Sequence, residues 1–279
     1  MSAIYGMIAP PISLPTMIMG SGVDMPFSGF DVPLLIATMP LAIGVNLGLA
    51  GRYLKRIDME AVLPGLGENH AATYGMRLFL PLVLVALLLI GIRLVPGLSA
   101  NLGIALVFLL GAMVGTVTGR RFNLFQAARR SIRQALPVMG ILVGVGTFIQ
   151  IMTLTGIRGM LVVTALGLPS LWKFVGVSVM MPLFGAVSAY GSASVLGVPF
   201  LLSFLGQNEI VVGSALSLFA GLGDLMPPTA LAGMFAAQVV GESNYFRVLK
   251  YTALPALATI LWAIGMILLA NPISRLIPG

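Results

Sequence analysis

Apolar blocks of about 20 residues alternate along this chain with short polar or basic loops, and that block length is what an α-helix needs to cross a bilayer. Runs over residues 31–51, 78–95, 100–119, 136–156 and 251–270 predict spanning helices. None shows the two-residue alternation of a membrane barrel strand, so the expected fold class is all-α. Pro96-Gly-Leu-Ser99 between two of the spans is a turn short enough to make them antiparallel neighbours.

Two apolar stretches break the pattern. Residues 217–230 read SLFAGLGDLMPPTA, inside a longer run over about 209–240. Pro227 and Pro228 have no N–H to donate and clash with the preceding turn, while Gly221 and Gly223 loosen the backbone just before them. A broken helix is expected there. In a bilayer, broken backbone is tolerated only where protein buries it or it lines a polar cavity, so the break marks a candidate binding site. Residues 170–203 are interrupted by the small, hydroxyl-rich cluster at 186–194, and each flank is shorter than a full crossing. This predicts a re-entrant hairpin over about 170–205 with its tip at 188–194.

The beginning of the chain repeats the break. Gly6-Met-Ile-Ala-Pro10-Pro11 matches Gly223-Asp-Leu-Met-Pro227-Pro228, a glycine four residues ahead of a double proline in each. Paired interruptions in two halves are a sequence pointer to a transporter binding site. The expected organisation is therefore residues 1–30 as the end of a first repeat, 31–135 as connecting spans with an amphipathic interface helix, and 136–279 as the second repeat.

Composition agrees with the pattern: 58% of the 279 residues are hydrophobic and 8% charged, with a mean hydropathy of +1.06. No cysteine is present, which removes disulfide and thiol chemistry. The net charge of +7 comes from basic residues in loops between spans, where they orient the chain, so nucleic acid is not an expected partner. Placing the loop at 52–77 and the arginine-rich stretch at 120–133 on the cytoplasmic side puts eleven of the fifteen Lys and Arg inside. The hairpin then enters from outside, and the two double-proline helices run in opposite directions. The repeat is expected to be inverted.

A hydroxyl-rich hairpin tip, a Gly-x-x-x-Pro-Pro break after it and an inverted counterpart at Gly6 to Pro11 resemble the large membrane subunit of the tripartite ATP-independent periplasmic (TRAP) transporters, of the ion-transporter superfamily. The resemblance covers nearly the whole chain but begins partway into the family's first repeat. It therefore implies a fragment, a split subunit or a misplaced start, with a further chain supplying the missing N-terminal helices. It implies cation-coupled uptake of organic anions such as C4-dicarboxylates across the bacterial inner membrane. It also implies a periplasmic solute-binding protein and a small membrane subunit as partners. Carried over by position, Ser188, Gly191 and Ser192 at the tip and carbonyls around Gly221, Gly223 and Met226 form a sodium site. Where the family has threonine before the double proline this chain has Met226, with Asp224 two residues earlier, so the coupling ion is expected to be sodium or a proton.

The residues also argue for themselves. Helix N-termini at Ser192 to Ser194 and at Pro228-Thr229 aim positive dipole ends at an anion, making Ser192, Ser194, Pro228 and Thr229 the candidate substrate contacts. Unwound carbonyls near Gly221 and Gly223, with the Asp224 carboxylate, suit a cation; an intramembrane carboxylate otherwise serves to cap orphan amides. The serines otherwise serve close helix packing. His70, the single histidine, is a solvated loop residue, and no metal beyond sodium and no cofactor is expected. A non-transporting assembly subunit and an intramembrane aspartyl protease are the alternatives. Gly221-Leu-Gly223-Asp224 and Pro255-Ala-Leu257 match that protease's two motifs, but its chemistry needs a second aspartate in an earlier span, and only Asp24, Asp31 and Asp58 are on offer. The expectation is a transporter subunit and not an enzyme.

Overall fold

In the computed structural model the described residues are 1–10, 13–25, 29–50, 75–94, 104–118, 123–227, 230–239 and 242–275. Pro11, the loop carrying Asp58 and His70, the turn at 96–99, Arg120, Arg121, Pro228 and Thr229 lie outside them. Every regular element among the described residues is helical. The chain divides into two compact units, Met1–Tyr53 with Gly140–Gly279, and Leu54–Met139.

The smaller unit contains α4 (Leu80–Leu94), entered through a 3-10 turn, and α5 (Ile104–Thr118). The two helices run antiparallel, because Gly111 of α5 meets Val85 and Gly115 meets Pro81. A glycine pair four residues apart lets two backbones close without a side chain between them. The helix α6 (Leu124–Leu154) begins in this unit and ends in the other. The sequence suggests an interface helix followed by a separate span; the structure makes them one helix of 31 residues.

The larger unit is assembled around α11 (Glu209–Leu222). Asn208 caps it, its Oδ1 accepting the Val211 N–H at 3.1 Å, and Glu209 sits in the first turn, where a negative charge favours the helix dipole. From Val211 to Leu222 every residue is buried. Its neighbours are α1 (Ser2–Ile8), α2 (Leu14–Ser21), α3 (Asp31–Val45), α8 (Ser170–Gly185) and α13 (Tyr245–Leu268). Because lipid tails solvate leucine as well as a neighbouring helix does, close packing and hydrogen bonds must hold such a helix within a bilayer. Small residues supply both here. A Cβ on Gly213 would lie 3.0 Å from the Phe30 ring, and one on Gly221 would lie 2.6 Å from Ile8 Cδ1. Between them the Thr16 and Ser217 hydroxyls meet at 2.5 Å. Ascending positions in the first thirty residues, Ile8, Thr16 and Phe30, thus meet descending positions on α11.

The helices α8, α9 (Ala189–Ser192) and α10 (Val198–Ser203), the last two joined by a π turn at Ala193–Gly197, form a hairpin. Its limbs are paired by Lys173 Nζ to the Ser203 carbonyl at 2.8 Å, by Gly176 against Phe200, and by Ser192 Oγ to the Met181 carbonyl at 2.7 Å. Before it, α7 (Ile157–Gly167), which the sequence pattern does not single out, leaves α6 at Gly156, whose φ of +76° is open to glycine; the adjoining helix segments are bent by 77°. After α11 a 3-10 turn (Gly223–Leu225) and an extended Met226 lead to α12 (Leu231–Val239) and α13, and α14 (Ala270–Arg275) closes the unit. Among the described residues three helices are long and apolar enough to cross a membrane, Asp31–Gly48, Gly75–Ile92 and Tyr245–Leu268, or four if the bent pair at Gly156 is one span.

The glycines give a direct test. A Cβ on Gly223 would run into the backbone of Gly185, which has no flexible end to yield, whereas a Cβ on Gly265 of α13 meets nothing within 4 Å. Gly223→Ala should destabilise the folded chain by about 1–3 kcal/mol. Gly265→Ala should be neutral or stabilising by up to roughly 1 kcal/mol. Thermal unfolding midpoints in detergent compare the two, and equal behaviour would show that the helix contact at Gly223 is not tight.

Candidate functional site

The site forms where the hairpin tip meets the end of α11. Prolines at 227 and 228 oblige the helix to stop upstream, and the chain does so through a 3-10 turn whose Gly223 carbonyl accepts the Met226 N–H at 2.8 Å. Met226, directly before proline, is extended at φ −89°, ψ 132°, as that position favours. The Tyr245 hydroxyl of α13 donates to the Leu225 carbonyl, and Ala230 N–H donates to the Met226 carbonyl at 3.1 Å, which bridges the break. Gly221 and Gly223 both have right-handed helical backbone. Their glycine character serves close approach, Gly221 under Ile4 and Ile8 and Gly223 against Gly185, and not the left-handed freedom that glycine alone has.

At the tip, α8 ends at Gly185 and Ser188 caps α9, its Oγ accepting the Gly191 N–H at 3.2 Å. Ser192 Oγ donates its one proton to the Met181 carbonyl, which leaves its oxygen as an acceptor. Ser188, Gly191, Ser192 and Ser194 are all buried. Asp224 is half-buried on the 3-10 turn and acts electrostatically on the nearby Tyr190 of α9, whose hydroxyl lies 3.9 Å from Met7 Sδ of α1. Among the described residues no donor is within hydrogen-bond distance of the Asp224 carboxylate. Of the ten candidate residues, eight are described and gathered on the tip and the break; Pro228 and Thr229 lie outside the described residues.

The sequence pattern did not single out the hydroxyls that the fold adds. Ser13, the N-cap of α2, lies 2.8 Å from Thr16 Oγ1, and Thr16 meets Ser217, which donates to the Gly213 carbonyl at 2.9 Å. Each hydroxyl has one proton, so the direction is set: Ser13 donates to Thr16, Thr16 to Ser217, and Ser217 to the backbone. Ser13 is left with acceptor lone pairs just after the first double proline. A second link of this kind ties α1 to α13, Tyr5 donating to Thr259 at 2.8 Å while Thr259 donates to the Pro255 carbonyl at 2.8 Å. The signal available in the sequence was Ser214 and Ser217 three residues apart in an otherwise apolar helix, but such pairs are usually read as packing.

The tip and the break thus bring the Ser188 and Ser192 oxygens and the backbone of the Gly223–Leu225 turn into one region with one carboxylate, and oxygen ligands of that kind suit a hard cation. The region offers no dyad of carboxylates among the described residues. Asp31 follows Phe30, which packs on Gly213 at the opposite end of α11, roughly 15 Å of helix away from Asp224. No protein-family model, curated protein or solved structure matches the chain.

Removing the Thr16 hydroxyl tests the chain of donors. Thr16→Val should cost about 0.5–1.5 kcal/mol of stability, the range of an interhelical hydrogen bond in a membrane, while Thr16→Ser should recover most of it. A loss in Thr16→Ser with none in Thr16→Val, read from unfolding midpoints, would assign the stability to methyl packing instead.

Proposed function

We propose that this chain is a subunit of a secondary active transporter of the TRAP large-subunit type, coupling sodium or proton movement to uptake of organic anions such as C4-dicarboxylates across a bacterial inner membrane. The observation that carries the proposal is the approach of a hydroxyl-bearing hairpin tip to a broken helix, Gly185 against Gly223, with a carboxylate at the break. Broken helices at membrane depth present half-helix termini and unwound carbonyls to a solute, which satisfies an ion and an anion without burying many charges. The order in which Ile8, Thr16 and Phe30 meet Gly221, Ser217 and Gly213 on α11 supports an inverted pair of segments. The three candidate spans support an integral membrane protein. The separation of Asp31 from Asp224 weighs against the aspartyl protease alternative.

In this mechanism Asp224 and the acceptor oxygens of Ser188 and Ser192 hold the cation, with carbonyls of the break at Gly221, Gly223 and Met226. Because α9 begins at Ala189, with Ser188 as its cap, its first amides and not those at Ser192 to Ser194 face the carboxylate of the substrate, together with those at the start of α12. A solute-binding protein delivers the anion and a small membrane subunit completes the membrane complex.

Uptake of radiolabelled dicarboxylate into proteoliposomes carrying the chain with its co-encoded subunits and solute-binding protein tests this. Uptake should require an inward sodium or proton gradient, and Asp224→Asn should lower it by about tenfold or more, the loss of at least 1.4 kcal/mol at the coupling site. Gradient-driven uptake that is indifferent to Asp224→Asn would reduce the carboxylate to a cap on the turn. Absence of uptake under either gradient would overturn the proposal.

A further inference from the structure

A cavity of about 420 Å³ lies between α8, the end of α11 and α13. Its walls are leucine, valine, proline, methionine, alanine and isoleucine side chains, and its two polar members are Ser178 and Thr252. Thr252 is satisfied by the carbonyls of Val248 and Leu249. Ser178 Oγ is buried and has no hydrogen-bond partner among the described residues. Walls of this kind exclude water, yet one hydroxyl in them waits for an acceptor. That combination suits an amphiphile with a long hydrocarbon part and few oxygens.

The position of the cavity narrows the occupant further. Val179, Leu183 and Leu257 on its walls are 56%, 65% and 52% exposed, so its mouth opens on the apolar belt of the molecule, where lipid is the solvent. Along α13 the lining runs from Leu249 to Ile260, a helix length of roughly 16 Å, about the depth of one hydrocarbon leaflet. Lys250 heads the stripe that continues through Ala253 and Leu257, at spacings that share one helix face. It is exposed near the beginning of the Tyr245–Leu268 span, where a long basic side chain reaches the headgroup level. The acid closest to it in sequence, Glu242, is already engaged by Arg247 at 3.0 Å and by the Asn244 N–H at 3.0 Å. Among the described residues Lys250 has no carboxylate in reach.

We propose that this groove is a binding site for one anionic phospholipid of the surrounding bilayer, its acyl chain lying along α13 between Leu249 and Ile260 and its phosphate on Lys250. The ester carbonyls of the lipid supply the acceptor that Ser178 lacks. The occupant touches Met226 and the α8 limb of the hairpin, so the lipid bears on the broken helix and the hairpin together. This rests on the membrane placement of the chain and not on what it transports.

Native mass spectrometry of the purified chain, after equilibration in mixed phosphatidylglycerol and phosphatidylcholine, reads the occupant directly. Wild type should retain about one phosphatidylglycerol per chain in preference to phosphatidylcholine. Ala256→Trp, which fills the groove, should lose it, and Val163→Trp on the exposed face of α7 should not. Lys250→Gln, a surface change that leaves the fold intact, should lower retention about fivefold for the anionic lipid and little for the zwitterionic one. Retention unchanged by Ala256→Trp, retention blind to the headgroup, or a purified chain that holds no lipid because a partner helix or second copy covers the groove would each overturn the proposal. Release of the chain from membranes by alkaline carbonate would sink the membrane placement itself, a failure separable from the others.

Discussion

The larger unit depends on how closely other backbones can approach α11. A helix buried on all sides by other helices gains nothing from exclusion of water if the alternative surroundings are lipid, so its place must be specified by contact distance and by hydrogen bonds. Gly213, Gly221 and the adjoining Gly223 each remove the one atom that would hold a neighbour off, and each is matched to a particular partner: Phe30, Ile8 and Gly185. Ser217 fixes the register between α2 and α11, because its hydroxyl has only one geometry in which it accepts from Thr16 and donates to its own helix. Shape and polarity act at the same positions, which gives the assembly a single register.

The same constraint builds the candidate site. Once Gly185 and Gly223 touch, the hairpin tip and the broken end of α11 are held at backbone distance, and the groups they carry are brought together without a side chain having to reach for them. The protons of Ser13, Thr16, Ser192 and Ser217 are spent on backbone or on one another inside the packed region, and the half-buried Asp224 carboxylate is the formal charge carried by the turn. A region organised in this way is electronegative while containing a single formal charge, a cheaper arrangement in an apolar medium than a cage of acids. The groove along α13 has the opposite character, hydrocarbon walls with a cation at one end, and the two share Met226.

Much of this was legible along the chain because it depends on backbone chemistry. The interruption at Pro227 follows from a missing donor and a steric clash, and the short hairpin limbs follow from counting apolar residues on either side of Ser188 to Ser194. Gly6 shows where pattern matching misleads. It pairs with Gly223 in the sequence repeat, yet it is exposed with open space around it, whereas Gly223 is pressed against another backbone. The two glycines look alike in sequence and differ in what surrounds them. The fusion of the arginine-rich segment with the following apolar run into α6 was likewise invisible, since a helix that passes from a polar to an apolar environment carries two patterns on one continuous backbone.

By itself the sequence determined the all-helical class, the apolar character of the surface, the positions of the breaks and the small and polar residues at them, because each is a property of a short stretch and its solvent. Only the tertiary structure decided which small residues are contacts and which are merely small. It joined Thr16 to Ser217 across 201 positions of chain in a directed hydrogen-bond path that begins at Ser13, left Ser178 without a partner among the described residues, and set Leu249 to Ile260 of α13 along an apolar groove. Those relations are between residues distant in sequence, and they exist only at the separations that close helix packing imposes.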